Sequence, residues 1–207
     1  MQYSRFSLSR HFAIIPIAFG AVFLPATSQN SFANTAATVV AASTTVQPPR
    51  EVAQALEQAR KLGQARLVVF GFNIYDAKLW ANDGFAVANY ASSAFALELR
   101  YLRNFSGSSL AERSLKEMRA QSSVSDTKAQ EWLEQMRKTF PDVKKGDQLI
   151  GIHRSDGSSS FTLNGKPIGD VRDAEFTRLF FGIWLSPRTS EPKMRRELIG
   201  AASSESK

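Results

Sequence analysis

The first half of the chain combines one helical pattern with β-type patterns. Residues 51–62 join good helix formers to an apolar face, and Gly63 follows as a helix-ending residue. Residues 66–80 are dense in aromatic and β-branched side chains. This density predicts one long strand, or two strands with a bend between residues 71 and 76. Residues 95–101 alternate apolar and polar positions, which predicts a further strand.

The second half predicts helices, then a β-meander, then helices again. Helical spacing marks residues 106–119, 126–140, 175–184 and 192–199. Strand patterns cover residues 147–153, 160–163 and 166–171. Asn164-Gly165 is a strong signal for a two-residue hairpin turn, and Asp173 is a candidate N-cap. Because strands and helices are segregated, we predict an α+β fold with helices on one face of a mostly antiparallel sheet.

The two ends of the chain differ from this region. Arg5 and Arg10 precede an apolar run at residues 12–25, which predicts a signal peptide over residues 1–28, with cleavage between residues 28 and 33. The alternative is an uncleaved membrane anchor, but the run is shorter than the roughly 20 residues that span a bilayer. We therefore expect a periplasmic or secreted protein. Its predicted parts are a flexible linker at residues 29–50, one domain at 51–200 and a disordered tail at 201–207.

The composition removes several classes of chemistry. The 207 residues include no cysteine, which excludes disulfides, thiolate nucleophiles and cysteine-based zinc sites. The net charge of +7 comes from interleaved acids and bases, so we expect no nucleic-acid binding, and membrane contact only through the signal peptide. Neither a glycine-rich nucleotide motif nor a Gly-x-Ser-x-Gly elbow occurs. We expect a monomer without a cofactor or a metal.

Few polar residues are candidates for catalysis. Outside the predicted signal peptide the only histidine is His153, and its place at a strand end beside Arg154 predicts a surface residue rather than a general base. Asp147 and Asp156 adjoin turns and are interpreted as turn formers. Five large aromatic residues are interpreted as core: Trp132, Phe140, Phe180, Phe181 and Trp184.

Arg66 is the residue that elementary chemistry singles out. It opens an otherwise apolar strand and shares one face with Val68, Phe70 and Phe72 if that strand is regular. A guanidinium keeps its charge, so at the rim of an aromatic-lined face it can receive a carboxylate or phenolate of a hydrophobic ligand. The alternative is an arginine that points into water or pairs with an Asp or Glu.

A series of short motifs over about residues 60–200 resembles the bacterial, exported branch of the chalcone isomerase-like family. The motifs are residues 63–66 (GQAR), 70–80 (FGFNIYDAKLW), 99–104 (LRYLRN), 140–147 (FPDVKKGD), 161–165 (FTLNG), 180–185 (FFGIWL), 192–195 (PKMR) and 198–200 (LIG). The resemblance implies an open-faced β-sandwich, in which helices lie over a large antiparallel sheet and enclose a ligand cleft. It also implies either the intramolecular lyase reaction on a chalcone or non-catalytic binding of fatty acids.

The functional residues of that family transfer only in part. Arg66 matches the arginine that holds the ionised oxygen of the flavonoid in plant chalcone isomerases and the carboxylate in fatty-acid-binding relatives. The catalytic threonine position falls on Phe70. The catalytic tyrosine position falls on Leu102, with Tyr101 one residue earlier. The resemblance thus implies a kept anion anchor and a depleted set of hydroxyl groups, which favours binding over catalysis.

These observations lead to three functional expectations. The first is an exported, non-catalytic protein that binds a small, fatty-acid-like hydrophobic acid through Arg66, Phe70, Phe72 and Tyr101. The second is an intramolecular lyase or isomerase of the chalcone type, with Arg66 as the anion stabiliser. The third is a periplasmic interaction protein whose cleft holds no ligand.

Overall fold

A computed structural model of the chain describes residues 46–200. Its helices are α1 (Arg50–Ala55), α2 (Gly107–Gln121), α3 (Asp126–Thr139), α4 (Ala174–Leu185) and α5 (Pro192–Ile199). Its strands are β1 (Arg60–Val69), β2 (Phe72–Ala81), β3 (Phe95–Tyr101), β4 (Gln148–His153), β5 (Ser159–Leu163) and β6 (Lys166–Val171). The predicted signal peptide and tail, and most of the predicted linker, lie outside the described residues. Within residues 46–200, no helix is long and apolar enough to cross a membrane.

All six strands form one antiparallel sheet, and their spatial order equals their order along the chain. Helices α2 and α3 are inserted between β3 and β4, and α4 and α5 follow β6. The predicted α+β fold, an open-faced sandwich, is confirmed. Because every neighbouring pair is antiparallel, the β1–β2 turn, the end of β3, the start of β4 and the β5–β6 turn all lie at one end of the sheet.

The two faces of the sheet carry different cores. On the helix-covered face, Phe161 of β5 packs against Phe180 and Phe181 of α4 with ring centroids 5.3 and 6.4 Å apart. Full burial of a phenylalanine stabilises the fold by roughly 1.5–3 kcal/mol. A smaller cluster joins α1 to the opposite face: Val52, Leu56, Trp80, Ala96, Ile150 and Ile152. Outside this cluster the second face carries polar side chains such as Arg66 and Asp76, and also the half-exposed Val68, and only the short α1 covers it.

Local signals placed most helix ends and turns correctly. The hydroxyl of Ser125 accepts a hydrogen bond from the backbone N–H of Lys128 at the start of α3. Asp173 caps α4 by accepting from two backbone N–H groups. The predicted hairpin turn at Asn164-Gly165 joins β5 to β6. Both aspartates interpreted as turn formers accept hydrogen bonds from backbone N–H groups, Asp147 from Lys144 and Asp156 from Ser158.

The N-terminal helix is shorter than the sequence predicts. Helix α1 ends at Ala55, and β1 already begins at Arg60 instead of Arg66. Gly63 does not end a helix; it lies in β1, where a Cβ would overlap the backbone carbonyl oxygens of Glu197 and Leu198. The glycine is required by the close approach of α5 to the strand, a long-range contact that helix propensity does not contain.

The buried histidine is a second correction. His153 was predicted to be a surface residue, yet it is fully buried. Its ring stacks on Phe95 with centroids 4.8 Å apart and meets the edge of Phe181 at 5.4 Å. Neither ring nitrogen makes a hydrogen bond of good geometry to a described residue. Burial lowers the pKa of His153, and weak interactions with the backbone of Ser93 and Arg154 oppose this shift. The prediction was wrong because β4 is an inner strand, paired on both sides and covered by α4.

Candidate ligand-binding cavity

An apolar cavity of about 350 Å³ lies between the sheet and helices α2 and α4. Strands β1 to β4 supply Leu67, Val69, Ile74, Tyr75, Leu99, Tyr101 and Leu149. The segments before, on and after the helices supply Phe105, Leu110, Phe140, Phe180, Ile183 and Trp184. The volume falls at the lower end of the range for small-molecule sites. Two other concavities, of about 440 and 470 Å³, are lined mostly by polar groups, so they offer less apolar contact to a ligand.

Two tyrosines bring hydroxyl groups to this apolar lining. Their rings meet edge to face, with the centroids of Tyr75 and Tyr101 6.0 Å apart. The Tyr75 hydroxyl accepts a hydrogen bond of 3.0 Å from the indole N–H of Trp184. The Tyr101 hydroxyl has no hydrogen bond to any described residue, although Tyr101 is only 3% exposed.

Burial keeps both tyrosines neutral. It raises the pKa of Tyr75 and the pKa of Tyr101, because a phenolate would lose its hydration in the apolar surroundings. Each hydroxyl therefore retains its proton at neutral pH and can donate it in a hydrogen bond. The Tyr101 hydroxyl is a donor on the cavity lining without an acceptor among the described residues, so it can donate to an oxygen of a ligand.

The rim of the cavity on α2 carries an ion pair. Arg113 lines the cavity and lies 2.7 Å from the carboxylate of Glu117, one helical turn further on. Glu117 is nearly buried, whereas the Arg113 side chain is 61% exposed. Glu191 and three serines complete the polar rim: Ser109, Ser114 and Ser190. Arg113 is the only Lys or Arg among the described residues that line the cavity, so it is the available anchor for an anionic group.

Arg66 lies elsewhere. It is opposite Asp76 in the β1–β2 ladder, and its guanidinium makes a bidentate pair with that carboxylate, with N···O distances of 2.5 and 2.9 Å. Its side chain is half exposed, and it is not among the residues that line the cavity. The neighbouring Ala65 and Leu67 face the core, so the alternation of a strand turns Arg66 to the opposite face. This is the arrangement that we gave above as the alternative to an anion anchor.

Of the other three residues that were predicted to contact the ligand, one lines the cavity and two do not. Tyr101 lines the cavity. Phe70 does not, because it occupies the β1–β2 turn and is 96% exposed. Phe72 is 56% exposed and lies beneath the guanidinium of Arg103, 4.6 Å from its ring centroid. The shared face of Arg66, Phe70 and Phe72 was predicted on the condition of a regular strand, and the tight turn at Phe70-Gly71 breaks that regularity.

The sequence contained a signal for the cavity residues on α2. In the predicted helix over residues 106–119, Leu110, Arg113, Ser114 and Glu117 form one stripe at i, i+3, i+4 and i+7. A charged pair on the inward stripe of an amphipathic helix is unusual. The change from apolar to charged residues along this stripe marks the rim of the cavity. The five aromatic residues predicted as core are all buried, and Phe140, Phe180 and Trp184 line the cavity as well.

The part of the chain that the structure describes contains no group of three or more His, Cys, Asp or Glu residues that could hold a metal ion. The polar groups of the cavity lining are two neutral phenols, the Arg113–Glu117 pair, Glu191 and three serines.

The sequence and the fold are similar to those of known proteins. Residues 62–200 match the model of a family described as chalcone isomerase-like. An uncharacterized protein of Haemophilus influenzae is 29% identical over 143 residues, which are 69% of each chain. The crystal structure of a fatty-acid binding protein of Arabidopsis thaliana superposes with a TM-score of 0.55 at 12% identity, covering 72% of this chain and 92% of that one.

Proposed function

Because the chain belongs to the chalcone isomerase-like family, we propose that its cavity binds a small hydrophobic carboxylic acid and that it acts as a binding protein, not as an enzyme. The observation that carries the proposal is an apolar cavity that is lined by Tyr101, whose hydroxyl makes no hydrogen bond to a described residue, and that has one arginine at its rim. The similarity of the fold to a fatty-acid binding protein supports the same class of ligand.

The apolar lining holds the hydrocarbon part of the ligand. Transfer of apolar surface from water is worth roughly 25 cal/mol per Å². A cavity of about 350 Å³ suits a short or medium chain, or one end of a longer chain. Phe105, Phe180 and Trp184 supply rigid walls, and these lose little conformational entropy when a ligand binds.

The donors that the cavity lining offers to the polar end of the ligand are the Arg113 guanidinium and the hydroxyls of Tyr75 and Tyr101. Arg113 supplies the positive charge, and the tyrosine hydroxyls can donate hydrogen bonds to a carboxylate oxygen. Arg113 has five N–H donors, and the described structure pairs one nitrogen with Glu117. Glu117 therefore competes with the ligand for the same guanidinium, and it lowers the affinity for an anion.

Two features speak against the chalcone reaction. Phe70, at the position that matches the catalytic threonine, is exposed at a turn and is not part of the cavity lining. Arg66, which matches the family's arginine, pairs with Asp76 on the other face of the sheet. With the threonine hydroxyl and the arginine both absent from the cavity, we expect no cyclisation of chalcone above the uncatalysed rate.

Export remains part of the proposal. The predicted signal peptide over residues 1–28 would place the binding protein in the periplasm or outside the cell. Mass determination of the mature protein from its native host tests this expectation, because cleavage between residues 28 and 33 removes a defined mass.

Native mass spectrometry of the full chain, purified from its native host, tests the proposed function. We expect a co-purified species whose mass and fragmentation identify a hydrophobic acid. Leu110→Trp should remove it, because the larger side chain fills the cavity from α2. Leu115→Trp is the matched control, since Leu115 lies on the same helix and is not part of the cavity lining. A wild-type protein that is always empty, or a chain that converts chalcone to flavanone, would contradict the proposal.

A further inference from the structure

The β1–β2 turn exposes a phenylalanine in a conformation that phenylalanine rarely adopts. Phe70 has φ +49°, Gly71 has φ +80°, and together they form the two-residue turn between the paired Val69 and Phe72. A turn with positive φ at both positions favours Asn-Gly or Asp-Gly. Strain of this kind at an exposed side chain indicates a role outside the fold.

This turn belongs to a strongly basic part of the surface. We define the basic end of the sheet as residues 70–73, 102–104, 144–147 and 164–166, which the antiparallel topology brings together. It carries four cations and one carboxylate. The cations are Arg103, Lys144, Lys145 and Lys166, all exposed. None of them forms an ion pair with a described residue, and Asp147 is already occupied by the backbone N–H of Lys144 and the side chain of Asn164.

Aromatic and cationic groups are combined at this end. Phe70 is 96% exposed and Phe72 is 56% exposed, with the guanidinium of Arg103 over the ring of Phe72. Asn73, Asn104 and Asn164 are exposed at the same end. An aromatic tip at one edge of a row of exposed cations is suited to the interface of an anionic bilayer, where the aromatic side chain enters the acyl boundary and the cations stay with the headgroups.

A protein partner is less well matched to the same surface. Hot spots of protein interfaces lie in well-packed pockets whose surroundings exclude water. Phe70 instead is 96% exposed at a two-residue turn, and the cations of this end are exposed as well. The charge of the surface adds to this preference, since each cation near an anionic membrane contributes favourably without a fixed partner.

We propose that the basic end of the sheet docks on anionic lipid bilayers, with Phe70 as the inserted side chain. The surface continues into the cavity lining, because Val69, Ile74 and Phe105 line the cavity and each directly follows or precedes a residue of the basic end. Docking thus brings the cavity next to the lipid phase. The proposal goes beyond acid binding and does not require it, since the experiment below contains no cavity ligand.

The test must resolve which part of the chain meets the lipid, because the apolar run at residues 12–25 can itself partition into vesicles. The chain has no cysteine, so a single introduced cysteine carries an environment-sensitive fluorophore at a defined place. One label is placed at Asn73→Cys, beside the tip. The other is placed at Ser155→Cys, in the β4–β5 connection at the opposite end of the sheet.

With vesicles of phosphatidylcholine and phosphatidylglycerol, we expect the label at position 73 to shift to the blue and the label at position 155 to stay unchanged. Phosphatidylcholine vesicles alone should give a much weaker shift at position 73, and added salt should reverse the shift. Equal responses at both positions, no response at position 73, or an equal response to phosphatidylcholine alone would overturn the proposal.

Two variants separate docking from folding. Phe70→Asn should weaken vesicle binding about tenfold or more while the turn stays intact, because asparagine suits its backbone. Lys144→Gln with Lys145→Gln should weaken it about tenfold, and Lys116→Gln with Lys138→Gln, exposed on α2 and α3, is the control of equal charge. Equal losses in both double variants, or self-association that disappears in Phe70→Asn without any vesicle response, would contradict docking.

Discussion

The two tight hairpins of this sheet have nearly the same backbone and opposite chemistry. Phe70-Gly71 has φ values of +49° and +80°, and Asn164-Gly165 has +51° and +76°. Both lie at the same end of the sheet. Asn164 suits its conformation and holds its surroundings, since its amide accepts from the backbone of Gln148 and donates to Asp147. Phe70 suits its conformation poorly and makes almost no contact with the rest of the protein.

The second turn therefore stabilises the fold through its side-chain hydrogen bonds, whereas the first turn presents an exposed side chain at the surface. The second turn shows that asparagine, at Asn164, suits a backbone of this conformation. The side chain of Phe70 therefore lowers the stability of the first turn, and its use lies in what it presents to the outside. The contrast predicts opposite consequences when the two residues are exchanged.

The largest effect is expected for Asn164→Phe. This change introduces the strain of the first turn and also removes two side-chain hydrogen bonds. We expect the free energy of unfolding to fall by about 2 kcal/mol. Urea denaturation measures this free energy of unfolding. An unchanged midpoint would show that the two turns do not differ in how well asparagine and phenylalanine suit them.

The reverse change should stabilise the protein. Phe70→Asn relieves the strain at positive φ and exposes less apolar surface, so we expect the free energy of unfolding to rise by about 1 kcal/mol. The same denaturation experiment measures this gain. A loss of stability would show that Phe70 contributes to folding after all.

A smaller effect concerns the acid held by the second turn. The side chain of Asn164 and the backbone N–H of Lys144 hold the pKa of Asp147 below its ordinary value. Because the folded pKa is the lower one, this contribution to stability is present above the unfolded pKa and is lost as the pH falls through the folded pKa. In Asn164→Ala, NMR titration of the Asp147 carboxyl should show a higher pKa than in the wild type. An unchanged pKa would show that the Asn164 side chain does not lower the pKa of Asp147.

The smallest effect is expected beside the first turn. Arg103→Gln removes the guanidinium over Phe72, an exposed cation–π contact worth about 0.5 kcal/mol. A double-mutant cycle with Phe72→Leu isolates this contact in denaturation measurements. A coupling free energy of zero would show that the contact between Arg103 and Phe72 does not stabilise the fold. Lipid binding would then be the only role proposed for Arg103.

The same two turns explain what could be predicted from the sequence. Asn164-Gly165 follows local rules, so the second hairpin and both of its strands were placed nearly to the residue. Phe70-Gly71 departs from those rules, so the sequence left open one long strand or two strands with a bend between residues 71 and 76. Arg66 was placed on the same face as Phe70 and Phe72 only on the condition of a regular strand.

The cavity itself depends on long-range packing. Its lining joins β1 to α2 and α4, and no local pattern reports how an inserted pair of helices lies over a sheet. Tyr101 was reached through the family resemblance rather than through periodicity. Arg113 and Glu117 were missed, because a charged pair at i, i+4 on a helix is normally a solvent-exposed feature.

The most direct test of the acid-binding claim compares an acid with an alcohol of the same chain length. Decanoic acid and decanol compete with a fluorescent apolar probe for the cavity in the wild type, Arg113→Gln and Glu117→Gln. We predict that Arg113→Gln weakens the acid about tenfold, that Glu117→Gln tightens it, and that the alcohol changes little in either variant. Equal changes for acid and alcohol, or no change for either, would contradict a cavity that selects a carboxylate through Arg113.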